Sequence, residues 1–142
     1  MLTSLTKEAL PVVRYRTRDL TRLLPGTARA VRRIEKITGR CDDMLILRGV
    51  NVFPTQIEEL LLRVPGLSPH YRLVLTRPAR LDELTVEVES RTDVRESDRA
   101  LLAKQLQSLV KDRVGVTVGC TVLEPEALER SQGKAQRLVD RR

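Results

Sequence analysis

Leu84-Thr85-Val86-Glu87-Val88-Glu89 alternates apolar and polar side chains without a break. A period of two puts every second residue on one face, so this stretch reads as a half-buried strand. Upstream, Tyr71-Arg72-Leu73-Val74-Leu75 reads as a second strand, and Arg77-Pro78-Ala79-Arg80 joins the two as a hairpin. Downstream, Ser97 or Asp98 is placed to cap a helix running to about Arg113, with Leu101, Leu102, Leu106, Leu109 and Val110 turned inward. Residues 116–123 form a further strand. Met44-Leu45-Ile46-Leu47 is a short strand, and Pro54 suits the first turn of a helix that carries Ile57, Leu60, Leu61 and Val64 on one face. Pro65-Gly66 stops it. The order from residue 44 is β-α-β-β-α-β, the split βαβ pattern. The expectation is therefore a small α+β domain, an antiparallel sheet with both helices on one face. Leu138-Val139 is a candidate last short strand.

The chain ahead of this domain is different. Residues 11–24 alternate around the polar break Arg18-Asp19, Pro25-Gly26-Thr27 is a turn, and Arg32-Arg33-Ile34-Glu35-Lys36-Ile37 alternates weakly up to Gly39. These strands bring little apolar surface and are expected to complete a sheet supplied elsewhere. The charge follows the same division. Residues 1–40 hold ten Lys/Arg against three Asp/Glu, so the whole net charge of +7 sits in this arm. Such a stripe attracts phosphates, nucleic acid or an acidic neighbouring surface. The boundaries read from the sequence are a basic β-strand arm, residues 1–37, and a globular domain, residues 38–142.

Composition narrows the function classes. Hydrophobics make up 41% of the 142 residues, a globular proportion. Tyr15, Phe53 and Tyr71 are the whole aromatic complement, few for a protein that stacks on bases. Cys41 and Cys120 are isolated thiols, and His70 is the single histidine, so a zinc cage from side chains is not expected. No apolar run of about eighteen residues and no signal peptide at Met1 stand out, which reads as a cytoplasmic protein with no membrane partner.

Five residues are of a type suited to chemistry. Lys134 follows Gly133 in a polar loop. There its amine is a mobile point charge with three donors, suited to carboxylate and phosphate oxygens as negative charge moves between them. Asp19, at a strand end, can accept both hydroxyls of a ribose or cap its own turn. Arg40 and Asp42 lie in Gly39-Arg40-Cys41-Asp42-Asp43, and Gly39 and Asp42 tolerate more than one backbone conformation, as a turn or a hinge requires. Gly49 is a turn or bulge glycine that also leaves space beside the backbone. His70 and Cys41 have no neighbouring acid or base in sequence that would recruit them to catalysis, and Glu58-Glu59 read as a solvated helix face.

Three segments give these residues a shared context. They are Tyr15-Arg16-Thr17-Arg18-Asp19, then Thr38-Gly39-Arg40-Cys41-Asp42-Asp43-Met44-Leu45-Ile46-Leu47-Arg48-Gly49-Val50-Asn51-Val52-Phe53-Pro54-Thr55-Gln56-Ile57-Glu58, and Ser131-Gln132-Gly133-Lys134-Ala135-Gln136-Arg137. Together, and in this order, they resemble the last motifs of the acyl-adenylate-forming ligases, most closely the phenylacetate–coenzyme A ligase branch. The resemblance covers almost the whole chain. Arg18 departs from the glycine that many relatives carry there, as that branch does. The resemblance implies a C-terminal lid domain preceded by the last strands of a large N-terminal domain that is the chain's missing partner. It implies ATP, coenzyme A and Mg²⁺, and an aryl acid converted to its coenzyme A thioester. Lys134 would be the adenylation lysine, Asp19 and Arg40 nucleotide ligands, Asp42 the hinge, and Gly49 part of the coenzyme A thiol channel. The 142-residue chain alone is expected to be inactive, with a second copy as a further partner for the uncovered arm. The rival readings are a ferredoxin-like ligand-binding or regulatory module, and a nucleic-acid-binding module using the basic arm. Both leave Lys134 and Asp42 without a role, and no nucleic acid is expected as a partner.

Overall fold

The computed structural model describes all residues except 5, 7, 8, 10, 28–31 and 131–136. The chain forms two compact units, Met1–Asp43 and Met44–Arg142. Among the described residues the first holds six short strands: β1 (Leu2–Ser4), β2 (Val12–Tyr15), β3 (Asp19–Leu20), β4 (Leu23–Leu24), β5 (Arg33–Ile34) and β6 (Gly39–Arg40). They pair antiparallel as three two-stranded ladders, β1 with β2, β3 with β6 and β4 with β5. Among the described residues this unit contributes nothing to the buried core, and Val13, Tyr15, Leu23, Ile34 and Ile37 are exposed. Two-stranded ladders of this kind are marginal by themselves.

The second unit contains β7 (Leu45–Leu47), β8 (Val50–Val52), α1 (Pro54–Leu61), β9 (Leu67–Thr76), β10 (Glu83–Ser90), α2 (Glu96–Val114), β11 (Gly119–Leu123) and β12 (Leu138–Asp140). The α+β class read from the sequence holds. A four-stranded sheet runs β11-β10-β9-β12. Its central pair is the expected antiparallel hairpin, with Leu84 opposite Leu75, Val86 opposite Leu73 and Val88 opposite Tyr71. The outer strands, β11 and β12, join parallel to β10 and β9. A parallel neighbour needs a crossover, and the nineteen-residue α2 supplies it between β10 and β11. The fourth strand is Leu138–Asp140, because Met44-Leu45-Ile46-Leu47 does not extend this sheet: β7 turns back at Arg48-Gly49 and pairs with β8. Both turn residues have positive φ, 51° and 82°, the geometry of a two-residue hairpin turn whose twist matches its strands.

Leu73, Leu75, Leu84, Val86 and Val88 line one face of the sheet and share a single core with Ile57, Leu60 and Leu61 of α1 and Leu102, Leu106 and Val110 of α2. Both helices therefore cover the same face. Leu45, Leu47 and Val52 of the β7–β8 hairpin close the core's edge. Leu101 was expected inside but is exposed, because the buried stripe of α2 advances in steps of four through Leu102, Leu106 and Val110. α1 opens at Pro54, and Gln56 Oε1 accepts the Phe53 N–H at 3.1 Å. α2 begins at Glu96, so Ser97 and Asp98 lie inside its first turn. Acidic Glu96 and Asp98 there, and basic Lys111 and Arg113 in the last turn, complement the helix dipole. Gly115, at φ 80°, closes α2 with its N–H on the Lys111 carbonyl. Among the described residues no helix is long and apolar enough to cross a membrane.

Candidate functional site

The β3–β6 ladder gathers three of the five candidates in the first unit. Asp19 on β3 stands opposite Arg40 on β6. The Asp19 N–H reaches Thr17 Oγ1 at 3.4 Å, and the Arg18 carbonyl accepts the Cys41 N–H at 2.8 Å, which brings the turn after β6 back beside β3. Arg40 grips Asp42 with a two-pronged fork, Nε to Oδ1 at 3.0 Å and Nη2 to Oδ2 at 2.9 Å. Arg18, held at φ 64°, adds its Nη1 at 3.5 Å from Asp42 Oδ2. The hydrogen bonds from Arg40, more than any other effect, bring the Asp42 carboxyl down to about 2. The boundary between the compact units falls just beyond Asp42, between Asp43 and Met44. Sequence reading treated Arg18 only as a departure from glycine. Its left-handed backbone is the signal that this position is special.

Gly49 lies in the other unit, at the tip of the β7–β8 hairpin. No heavy atom lies within 4 Å of a Cβ built there, so the positive φ, not crowding, requires glycine. Lys134 lies outside the described residues. The two arginines around its segment are described, and both are anchored. Arg130 donates from Nη1 and Nη2 to Glu89 at 3.0 and 2.9 Å, and Glu89 Oε1 also accepts the Leu128 N–H at 2.9 Å. Arg137 lies 4.7 Å over the Tyr71 ring, donates to Tyr71 Oη at 2.9 Å and to Glu58 on α1, and its carbonyl accepts the Leu73 N–H at 2.7 Å. Tyr71 in turn donates to the Pro54 carbonyl at 3.0 Å.

Sequence reasoning missed this second group. Glu59 is solvated as expected and pairs with Arg63 one turn on, but Glu58 faces Arg137 seventy-nine residues away. Helical periodicity carries no signal of so distant a partner. His70 is exposed, with its backbone N–H on Ser68 Oγ, and burial pushes the Cys120 thiol up to about 12. Cys120 is therefore an unreactive thiol. Among the described residues no group of three or more His, Cys, Asp or Glu side chains could hold a metal ion. The described residues by themselves offer no such ligand set for the Mg²⁺ that the resemblance implies.

Residues 49–142 match the family model of the AMP-binding enzyme C-terminal domain. The chain belongs to this family. The AMP-binding C-terminal domain and its leading arm are together 54% identical to a phenylacetate–coenzyme A ligase of Aromatoleum evansii, over 100% of this chain and 33% of that protein. The chain thus spans about a third of the length of the curated relatives it matches. Among solved structures, a domain of phenylacetate–coenzyme A ligase from Bacteroides vulgatus is 35% identical with a TM-score of 0.63, covering 70% of this chain and 92% of that one. A 2-hydroxyisobutyryl-CoA ligase bound to 2-HIB-AMP and CoA in its thioesterification state is 30% identical with a TM-score of 0.65, covering 72% of this chain and 22% of that one. That ligase also exists in a postadenylation state and an open conformation. None of these matches favours the regulatory or nucleic-acid-binding readings.

Proposed function

We propose that this AMP-binding C-terminal domain is the lid of a cytoplasmic phenylacetate–coenzyme A ligase, joined through residues 1–37 to the large domain that holds the acid and the ATP phosphates. The observation that carries the reading is the 54% identity to such a ligase across the entire chain. The exposed Val13, Tyr15, Leu23, Ile34 and Ile37 support a covering partner domain over the arm. In the first reaction a carboxylate oxygen attacks the α-phosphorus of ATP and the bond to diphosphate breaks, giving the acyl-adenylate. Lys134 bridges carboxylate and α-phosphate while charge passes between them. Asp19 takes the ribose hydroxyls and Arg40 the nucleotide. The lid, residues 38–142, then turns about Asp42, a position supported by the division of the units beside it. Lys134 withdraws and the Gly49 hairpin faces the pantetheine arm. The coenzyme A thiolate attacks the acyl carbon and AMP leaves with the carboxyl-derived oxygen. The overall change is phenylacetate, ATP and coenzyme A to phenylacetyl-CoA, AMP and diphosphate.

In the full-length enzyme, Lys134→Ala is expected to slow acid-dependent ATP–diphosphate exchange by about 10²–10³-fold. Thioester formation from supplied phenylacetyl-adenylate should stay near the parent rate. Equal loss in both half-reactions would refute the assigned role.

A further inference from the structure

A hairpin of two three-residue strands is marginal by itself. In the β7–β8 hairpin the fully buried Leu47 and Val52 hold the strands on the core, and the two turn residues lie beyond that anchor. No heavy atom lies within 4 Å of a Cβ built at Gly49, so packing does not fix the turn there. Its neighbour Arg48 is held at φ 51°, a left-handed backbone that arginine keeps only where its surroundings impose it. One such contact reaches across thirty-four residues: Arg48 Nε donates to the Asp82 carbonyl at 3.3 Å. Asp82 is itself gripped. Its side chain is 14% exposed, and each carboxylate oxygen has its own guanidinium, Oδ1 accepting from Arg77 Nε at 2.6 Å and Oδ2 from Arg142 Nη1 at 3.0 Å. The hydrogen bond from Arg77 first, and that from Arg142 after it, hold the carboxyl below the usual aspartate range. Arg142 also forks Asp140, which β12 sets opposite Leu75 of β9. A single exposed ion pair contributes little, but several charges joined in one network with forked geometry fix a position.

We propose that Asp82 and Arg48 are positioning residues for thioester formation: Asp82, gripped by Arg77 and Arg142, fixes the β9–β10 loop, and Arg48 pins the Gly49 turn to that loop. This rests on the reading that the Gly49 hairpin faces the pantetheine arm. A glycine leaves room for a thiol arm only while the turn that carries it stays in one place. A misplacement of ~1 Å at a reacting centre costs on the order of 10²-fold. Every member of the network belongs to Met44–Arg142. The network therefore travels with the hairpin as the lid turns, and adenylation, which does not use the Gly49 turn, does not depend on it.

The test uses the full-length enzyme with Arg48→Gln and Asp82→Asn. Glutamine keeps an unbranched stem at the left-handed position, and asparagine keeps the size of aspartate while weakening its hold on the two arginines. Each variant is expected to slow thioester formation from supplied phenylacetyl-adenylate by about 10-fold at saturating coenzyme A, while acid-dependent ATP–diphosphate exchange stays within about twofold. The same fold-loss is expected with pantetheine, which lacks the nucleotide, in place of coenzyme A. The double variant should be no slower than Arg48→Gln alone, since both act through one turn. Amide exchange across residues 45–52 should quicken in both variants while exchange in α2 stays unchanged, showing the domain still folded. Unchanged thioester formation, equal slowing of both half-reactions, additive losses, or unchanged exchange at 45–52 would each overturn the proposal. So would a loss confined to the KM for coenzyme A and absent with pantetheine, which would make Arg48 a contact for the coenzyme's phosphates. If the bulky Gly49→Leu slows thioester formation and the Arg48 and Asp82 variants do not, only the positioning role fails. If Gly49→Leu leaves it intact, the reading of Gly49 fails and the positioning role falls with it.

Discussion

Asp42 is an exposed turn residue, yet two hydrogen bonds from Arg40 hold it in one orientation and one charge state. Its folded pKa of about 2 lies below the unperturbed 3.8, so whatever the pair contributes is fully present above about pH 4 and is lost as pH falls through 2. With both side chains open to solvent, the fork sets the geometry of the turn more than it stabilises the fold. The expected NMR titration midpoint of the Asp42 carboxyl is about 2, and Arg40→Gln should move it up toward 3.8. A midpoint indifferent to that substitution would mean the fork does not persist in solution. The residue types at this turn were legible in the sequence, because Gly39 and Asp42 advertise their backbone freedom. The participation of Arg18 was not, because arginine gives no local sign that it will adopt φ 64°.

At the scale of elements, what was legible is what repeats locally. Period-two alternation located β10, the apolar Tyr71–Leu75 run located β9, and the helical face of Ile57, Leu60, Leu61 and Val64 after Pro54 located α1. What escaped is pairing. Nothing in Met44-Leu45-Ile46-Leu47 announces that its neighbour is Val50–Val52 rather than the main sheet; that is decided by the two-residue turn between them. The turn's chemistry is testable. Gly49 sits at φ 82° with open space around it, so Gly49→Ala suffers only the left-handed backbone penalty, about 1–2 kcal/mol by chemical denaturation. Gly49→Asn should recover most of that loss, since asparagine tolerates this region. A cost for Asn as large as for Ala would point instead to a steric requirement. The partners of Arg130 and Arg137 fall outside both kinds of legibility, since Glu89 and Glu58 lie forty-one residues or more away in sequence.

At the scale of the molecule, charge and burial divide the chain near the same place. The described core lies wholly in Met44–Arg142, while Met1–Asp43 combines most of the net positive charge, ten Lys/Arg against five Asp/Glu, with exposed Val13, Tyr15 and Leu23. Local stability follows buried contacts, so the two units should open independently in the isolated chain. Backbone amides of β3, β4, β5 and β6 should exchange quickly, close to unprotected rates, while those of β9, β10 and α2 exchange only through global unfolding. The same chain by itself should make no phenylacetyl-CoA, since its sequence holds no glycine-rich Ser/Thr phosphate loop. In the full-length enzyme the ladders of the first unit should become protected, because their apolar side chains then have a surface to cover. Exchange in the isolated monomer that is uniformly slow from Leu2 to Asp140 would contradict this, for it would require the arm to carry a core of its own. Protection that appears only as the isolated chain is concentrated would assign the covering surface to a second copy instead of the large domain.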